Sequence, residues 1–266
     1  MTNVLDPIPT WAIMLTSGLL IFAMSEAGFQ LGRRRGPVLH GHDPSGVLQT
    51  TAFTLLALLL GFSFAMALGR YDARRATLLR EANAIATTYL RGGLLDPKSA
   101  LVVRAGLREY VAERLSFARA DVNPEQRASA DARSAAIGRA LWALAARGSL
   151  QDPRATATPL FVASLNDALN LSTEERAVLS THIPDVVILW LLLIAFIASA
   201  MLGYGFGREG KRALVFKAIF AAMVALVFGL VLDLDRPQRG IIRVNLAPLQ
   251  AVQGSMNAWA LPSQAR

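Results

Sequence analysis

The chain has 266 residues, of which 53% are hydrophobic and 17% are charged, and its formal net charge at pH 7 is +8. The hydrophobic fraction is high for a soluble domain and typical of a membrane protein with a sizeable extramembrane part. The chain contains no cysteine, which excludes disulfides, thiolate metal ligands and a cysteine nucleophile. Its basic residues are scattered and do not form one strip, so we expect no nucleic-acid partner.

Long apolar runs dominate the chain. Each has about 20 residues, the length that an α-helix needs to cross a hydrocarbon core of about 30 Å. A backbone in lipid must satisfy its own hydrogen bonds, so we expect four transmembrane helices. Because the leader before the first run lacks Lys and Arg, we expect that run to be a retained helix and not a cleaved signal. The runs cover residues 10–29, 47–69, 183–206 and 213–232.

Short polar loops join these runs in pairs. The first loop contains Arg33, Gly36 and Pro37, and the second consists of residues 207–212. Pro and Gly break helices, and loops this short favour helical hairpins. The sequence therefore predicts an all-α protein in which two transmembrane hairpins bracket a helical insert. The predicted divisions are residues 1–69, 70–182, 183–232 and a C-terminal tail, 233–266.

The insert has a helical pattern throughout. Apolar residues recur at helical spacing from Leu78 to Tyr89, so the second run continues as one long helix that ends near Asp96. Further helices are expected over residues 99–120 and 124–147.

The end of the insert contains helix-breaking and capping signals. A fourth helical stretch is expected to break near Asn170, where Ser172 and Glu175 offer a capping box for the next helix. That helix is expected to enter the third run through Pro184, with a kink.

Small residues recur at four-residue spacing in the three later runs. Such stripes let membrane helices approach closely, although Ala- and Gly-rich runs also produce them by chance. We expect at least two to be packing faces, within or between subunits. They are Gly61, Ala65 and Gly69; Ala195, Ser199, Gly203 and Gly207; and Ala221, Ala225 and Gly229.

Sequence patterns typical of enzymes are missing. The chain has no phosphate-binding Gly-rich loop, no His-Glu-x-x-His and no Gly-x-Ser-x-Gly. His40 and His42 lie in a loop without evident partners for a metal site. We therefore expect no enzyme activity, catalytic residue, metal or cofactor.

Charged and polar residues cluster after the second run. Glu81 stands among small and apolar residues, so if it is buried it needs a partner, for which Arg70 or Arg91 is expected. A solvated helix face is the alternative. The candidate residues are Arg70, Asp72, Arg74, Glu81, Asn83 and Arg91.

A second charged cluster follows the fourth run. It contains Asp233, Asp235, Arg236 and Arg239, and Pro237 forces a turn that can fold an arginine back onto the carboxylates. The cluster suits an ion pathway or a structural lock equally well.

Glu26 and Lys217 are ionisable residues within the runs. Each is within about two turns of a predicted helix end, so we expect both side chains to snorkel towards water.

The two charged clusters resemble the signatures of the bacterial bestrophin-like membrane proteins, and the resemblance extends over residues 47–249. That family is distantly similar to true bestrophins, which are pentameric anion channels with four spans per subunit and a helical cytosolic domain. The resemblance implies a homo-oligomer that conducts chloride or other small anions, with Phe62 and Phe64 as candidate pore-lining residues. Calcium gating is not implied, because no acidic cluster reproduces the calcium clasp. The matching segments are Leu60–Phe64, Arg70–Arg75, Glu81–Ile85, Tyr89–Arg91 and Leu232–Pro237, with Gly240, Ile242 and Arg243.

Charge and resemblance predict opposite orientations. Basic residues in the short loops favour an external insert, whereas the resemblance favours a cytoplasmic one, which we adopt. We therefore predict a multi-pass protein of the lipid bilayer of the cell membrane, which is the inner membrane in a Gram-negative cell. A non-conducting scaffold or sensor is the alternative, and a membrane enzyme would need a polar pocket around Asp233 and Asp235.

Overall fold

A computed structural model of the protein describes residues 9–36, 45–119, 123–151, 156–235 and 242–259. These residues form eight α-helices and no strand, so the all-α prediction is confirmed. The helices are α1 (Thr10–Arg35), α2 (Ser45–Gly92), α3 (Pro97–Arg119), α4 (Pro124–Gln151), α5 (Ala157–Ser180), α6 (Asp185–Arg208), α7 (Leu214–Asp235) and α8 (Ala247–Ala258).

Four candidate membrane spans are present among the described residues. They are α1, α2, the stretch Ala157–Arg208 and α7, and each contains a segment long and apolar enough to cross a membrane. Within the third stretch the apolar segment is α6, since α5 carries four charged residues between Asp167 and Arg176. The number of predicted spans is therefore confirmed.

The helices pack into two compact units. The first unit comprises residues 1–71 and 182–242, and the second comprises residues 72–181 and 243–266. Each unit has its own hydrophobic core. The predicted C-terminal tail is divided between them, because its residues from 243 onward belong to the second unit.

In the first unit, α1 packs extensively against α6 through small residues. A Cβ atom at Gly28 would overlap the backbone of α6, and one at Gly203 would overlap Ser25 O. Ser199 Oγ donates a hydrogen bond to Ile21 O at 2.6 Å. The predicted stripe on α6 is therefore a packing face within the chain, and its counterpart on α1 was not predicted.

The other two small-residue stripes differ from each other. On α7, Ala225 is buried, and a Cβ atom at Gly18 of α1 would lie 3.2 Å from its Cβ. On α2, by contrast, Gly61 and Gly69 face open space within the described part of the chain, and Ala65 is exposed. Two of the three stripes are thus packing faces inside the chain, and the small-residue stripe on α2 is uncovered.

The core of the second unit combines α2, α3, α4, α5 and α8. The predicted apolar face of α2 is buried, and α8, which was not predicted, contributes to the same core. Its signal was present, since Leu249, Val252 and Met256 recur at helical spacing after a proline at the helix start. Core residues include Leu78, Ile85, Tyr89, Val103, Leu107, Val111, Leu141, Phe161, Leu165, Leu249 and Met256.

Two boundary predictions near the third span are wrong. The helix does not break near Asn170, because α5 continues to Ser180, with Ser172 and Glu175 on its buried face. Nor does a kinked helix run through Pro184. This residue instead precedes α6, where a missing backbone N–H has no cost, and residues 181–184 are not helical.

Candidate functional site

Asp235, the last residue of α7, joins three apolar helices of the first unit. Its Oδ1 accepts a hydrogen bond from Arg70 Nη1 of α2 at 3.3 Å. Both of its carboxylate oxygens accept from Ile183 N, just before α6, at 3.1 Å. The carboxylate is fully buried, whereas the Arg70 side chain is 20% exposed. Asp235 therefore both neutralises Arg70 and fixes the chain that enters α6.

Asp233, one half-turn earlier, holds the chain that follows α7. Its Oδ2 accepts from Ile242 N at 2.9 Å, and the residue is 6% exposed. The backbone therefore does turn back onto this carboxylate. The predicted arginines of this turn, Arg236 and Arg239, lie outside the described residues.

Glu81 of α2, in the second unit, is fully buried and pairs with Arg114 of α3. Arg114 Nε donates to Glu81 Oε1 at 2.6 Å and Arg114 Nη2 donates to Oε2 at 3.2 Å. Arg114 Nη2 also donates to Glu175 of α5. Glu81 is thus paired as predicted, but the predicted partners, Arg70 and Arg91, are wrong. We call Glu81, Arg114 and Glu175 the buried triad.

Burial and charge together set the protonation of the buried triad. Burial raises the pKa of the Glu175 carboxyl to about 7, an effect that Arg114 opposes and Glu81 increases. Burial alone would lower the pKa of Arg114, but the two carboxylates raise it, so its guanidinium stays charged. Two ionised carboxylates around one guanidinium would leave an excess negative charge, so Glu175 takes up a proton near neutral pH.

The remaining candidates on α2 have different surroundings. Arg74 is 2% exposed, and its Nη2 donates to Thr181 O at 3.1 Å. Arg91 Nη1 donates to a carbonyl of α5 at 2.9 Å. Asp72 and Asn83 are exposed. The α2 candidates therefore differ in their partners, since Arg70 pairs within the first unit whereas Arg74, Glu81 and Arg91 bond within the second.

Glu26 and Lys217 form an ion pair within the first unit. Lys217 Nζ lies 2.6 Å from Glu26 Oε2, and the lysine is fully buried. The ammonium also lies 4.5 Å from the ring centroid of Phe29. The predicted snorkelling of Lys217 is therefore wrong, because a carboxylate and an aromatic face replace water around its charge.

The aromatic pore-lining candidates lie on different faces of α2. Phe62 is 63% exposed, whereas Phe64 is partly buried against the core of the first unit. The exposed face, which we call the α2 stripe, carries no charged residue and ends one residue before Arg70. It comprises Thr51, Leu55, Leu58, Phe62, Ala65 and Gly69.

Sequence reasoning missed Arg114 and Glu175 as partners of Glu81. A signal for Arg114 was present, because it shares a helical face with Leu107 and Val111, where an arginine can only be buried with a carboxylate. Glu175 was interpreted as a capping residue because its local pattern fits a helix start. Only the continuity of α5 places it on the buried face.

The sequence and the fold each match known proteins. The bestrophin-like domain family matches residues 19–249. Among solved structures, a bacterial bestrophin homolog from Klebsiella pneumoniae has a TM-score of 0.66 at 13% identity, covering 92% of this chain and 96% of its own. A structure described as a membrane protein variant has a TM-score of 0.63 at 14% identity, covering 95% and 98%. No curated protein matches the chain.

Proposed function

This chain belongs to the bestrophin-like family, and from that premise we propose that it forms a homo-oligomeric membrane channel for small anions such as chloride. The observation that carries the proposal is the α2 stripe. A continuous face of a membrane helix is uncovered in one chain, carries no charge and is followed at once by a basic residue, Arg70. Packing of several copies around an axis would cover much of this face and leave a path along it.

The chemistry of the α2 stripe suits weak and rapid passage of anions. Its apolar residues provide no strong binding site that would trap an ion, and a constriction at Phe62 can gate by excluding water. Arg70 supplies positive charge at the end of the stripe. Because Asp235 partly neutralises it, Arg70 would attract anions without holding them.

Two variants of the Arg70–Asp235 pair, reconstituted as purified proteins in liposomes, test the proposal. Arg70→Gln removes a positive charge and Asp235→Asn removes a negative one. If the pair borders the ion path, the chloride-to-sodium permeability ratio falls in the first variant and rises in the second. If the pair only locks the helices, both variants lose stability and neither changes the ratio. Absence of flux from wild-type protein at confirmed incorporation would overturn conduction itself.

Phe62 and Leu19 provide a matched comparison on two spans. Both side chains are exposed, at 63% and 69% respectively, but only Phe62 lies on the α2 stripe. We expect Phe62→Ala to change chloride flux by about tenfold or more, and Leu19→Ala to leave it within about twofold. Equal effects would argue against α2 as the pore helix.

We also propose that the four spans form two hairpins, with the helical second unit on the cytoplasmic side. Single cysteines test this orientation cleanly because the chain has no cysteine of its own. Exposed positions Ala132 and Lys211 are suitable sites in the insert and in the second short loop. In intact cells an impermeant maleimide should label Lys211→Cys and spare Ala132→Cys, and the reverse result would invert the orientation.

The alternative is a non-conducting scaffold or sensor whose helical second unit binds a ligand or partner. The separate core of that unit favours this reading. The scaffold or sensor alternative predicts a monomer or dimer in mild detergent, since a pore on a symmetry axis needs several subunits. Native mass measurement therefore separates the two functions.

A further inference from the structure

The second unit contains a cavity bounded by α3, α4 and α5. Its volume is about 440 Å³, which is within the range of small-molecule sites. Ala135, Gly138 and Leu169 give it apolar walls, and Trp142, which is 42% exposed, lies at its solvent side. A ligand with a flat apolar body could therefore enter from solvent and stack against the indole.

Gly138 lies beside Leu169 in the wall of this cavity. A Cβ atom at this position would lie 2.7 Å from Leu169 Cδ2, so a larger residue would shift the end of that flexible side chain, which also lines the cavity. The shape of this wall therefore depends on the Gly138–Leu169 contact.

Positive charge lines the cavity without negative charge. Arg139 and Arg176 are lining residues, whereas no described carboxylate is. Arg176 is already engaged, since its Nη1 lies 3.2 Å from Asp131 Oδ2 and its Nη2 donates to Thr173 Oγ1 at 3.0 Å. Arg139 is exposed and has no ion-pair or hydrogen-bond partner in the part of the chain that the structure describes. Arg139 is therefore the guanidinium available to a ligand.

A buried hydroxyl also lines the cavity. Tyr110 is 2% exposed, and its Oη makes no well-formed hydrogen bond with any described residue. The hydroxyl of the neighbouring Ser172 already donates to Leu169 O at 2.7 Å. The Oη of Tyr110 interacts with the Ser172 hydroxyl without a well-formed hydrogen bond. A ligand oxygen within the cavity would complete the hydrogen bonding of this buried group and lower the free energy.

We propose that this cavity binds a small organic anion with an aromatic or flat apolar body and a carboxylate group. Arg139 pairs with the carboxylate at the solvent side, Tyr110 donates to a ligand oxygen deeper in the cavity, and Trp142 stacks on the body. The cavity shares no residue with the α2 stripe or the Arg70–Asp235 pair, and its occupancy does not depend on whether the protein conducts.

Calorimetric titration of the detergent-solubilised full chain with benzoate tests the proposal. Benzamide is a neutral probe of the same shape, and acetate is a carboxylate without the ring. We expect saturable binding of benzoate and at least about tenfold weaker binding of both comparison probes, because each lacks one of the two recognised features. Equal affinity for benzoate and benzamide, or no saturable binding of benzoate, would overturn the proposal.

Single-residue variants test whether benzoate binds in this cavity. Arg139→Gln should weaken benzoate binding by about tenfold, and Trp142→Ala and Tyr110→Phe should also weaken it. Arg147→Gln is the matched control, since Arg147 is an exposed arginine of the same helix that does not line the cavity. Arg139 is exposed, so its substitution does not threaten folding, and circular dichroism verifies this. Unchanged binding in Arg139→Gln, or equal loss in Arg147→Gln, would place the ligand elsewhere and overturn the assignment.

Discussion

Arg114 Nε donates to Glu81 Oε1 at 2.6 Å, and the side chains of both residues are at most 1% exposed. The pair joins α2 to α3, and Glu175 extends the connection to α5. Charges removed from water this completely are tolerated only with well-placed partners. The buried triad therefore fixes how three helices of the second unit align.

Removal of the central arginine should be severely destabilising. In Arg114→Gln two buried carboxylates face each other without a cation, so we expect a loss of about 3–5 kcal/mol in the free energy of unfolding. The pair of Glu113 and the exposed Arg133 provides the control, and Arg133→Gln should cost at most about 1 kcal/mol. Thermal unfolding in detergent, followed by circular dichroism, measures both. Similar losses would mean that the triad is not the alignment device.

The pH dependence of stability should follow Glu175. Its pKa is raised by folding from about 4.5 to about 7, so the folded state binds its proton more tightly than the unfolded state does. The resulting stabilisation is complete below pH 4.5 and is lost as the pH rises through 7. Wild-type protein should therefore lose stability between pH 5 and pH 8 relative to Glu175→Gln. If the melting temperatures of the two proteins change in parallel across this pH range, the pH dependence does not come from Glu175.

The helices of this protein could be predicted from sequence far better than the contacts between them. Regular apolar spacing identified the long α2 and the four spans, because helical periodicity is a local property. The partner of Glu81 was not predicted, since it depends on which turn of α3 faces α2. The local capping pattern at Ser172 and Glu175 was misleading for the same reason. Glu175 is instead paired with Arg114 of α3, which lies 61 positions away in the sequence.

The candidate site could be predicted only as a set of residues. Arg70 and Asp235 were both expected to matter, but their direct pairing across 165 positions required the structure. Proximity to helix ends similarly suggested water access for Lys217. The observed burial depends on Glu26 of a distant helix, which no spacing rule identifies.

The Glu26–Lys217 ion pair should respond asymmetrically to neutralisation. Glu26→Gln leaves a fully buried lysine without its carboxylate, whereas Lys217→Met leaves Glu26, which is 23% exposed and has Arg212 at 3.8 Å. We therefore expect the first variant to lower the melting temperature more than the second, and the double variant to recover much of the loss. Gel filtration after stepwise heating in detergent provides the measurement. Equal losses that add in the double variant would argue against a direct pair.

Glycines on α6 and α2 should respond in opposite ways to the same substitution. Gly203→Ala places a methyl group against Ser25 O where α6 meets α1, so the helices must separate and we expect a loss of about 2 kcal/mol or more. Gly61→Ala enters open space within the chain and should be neutral or stabilising by up to about 1 kcal/mol, since alanine favours helix. Melting temperatures in detergent test both expectations, and the oligomeric mass of Gly61→Ala adds a second readout. If the small-residue stripe of α2 (Gly61, Ala65 and Gly69) packs tightly between subunits, Gly61→Ala should weaken assembly while leaving the monomer folded. An unchanged oligomer would instead place this part of α2 next to solvent or lipid, where a methyl group meets no backbone.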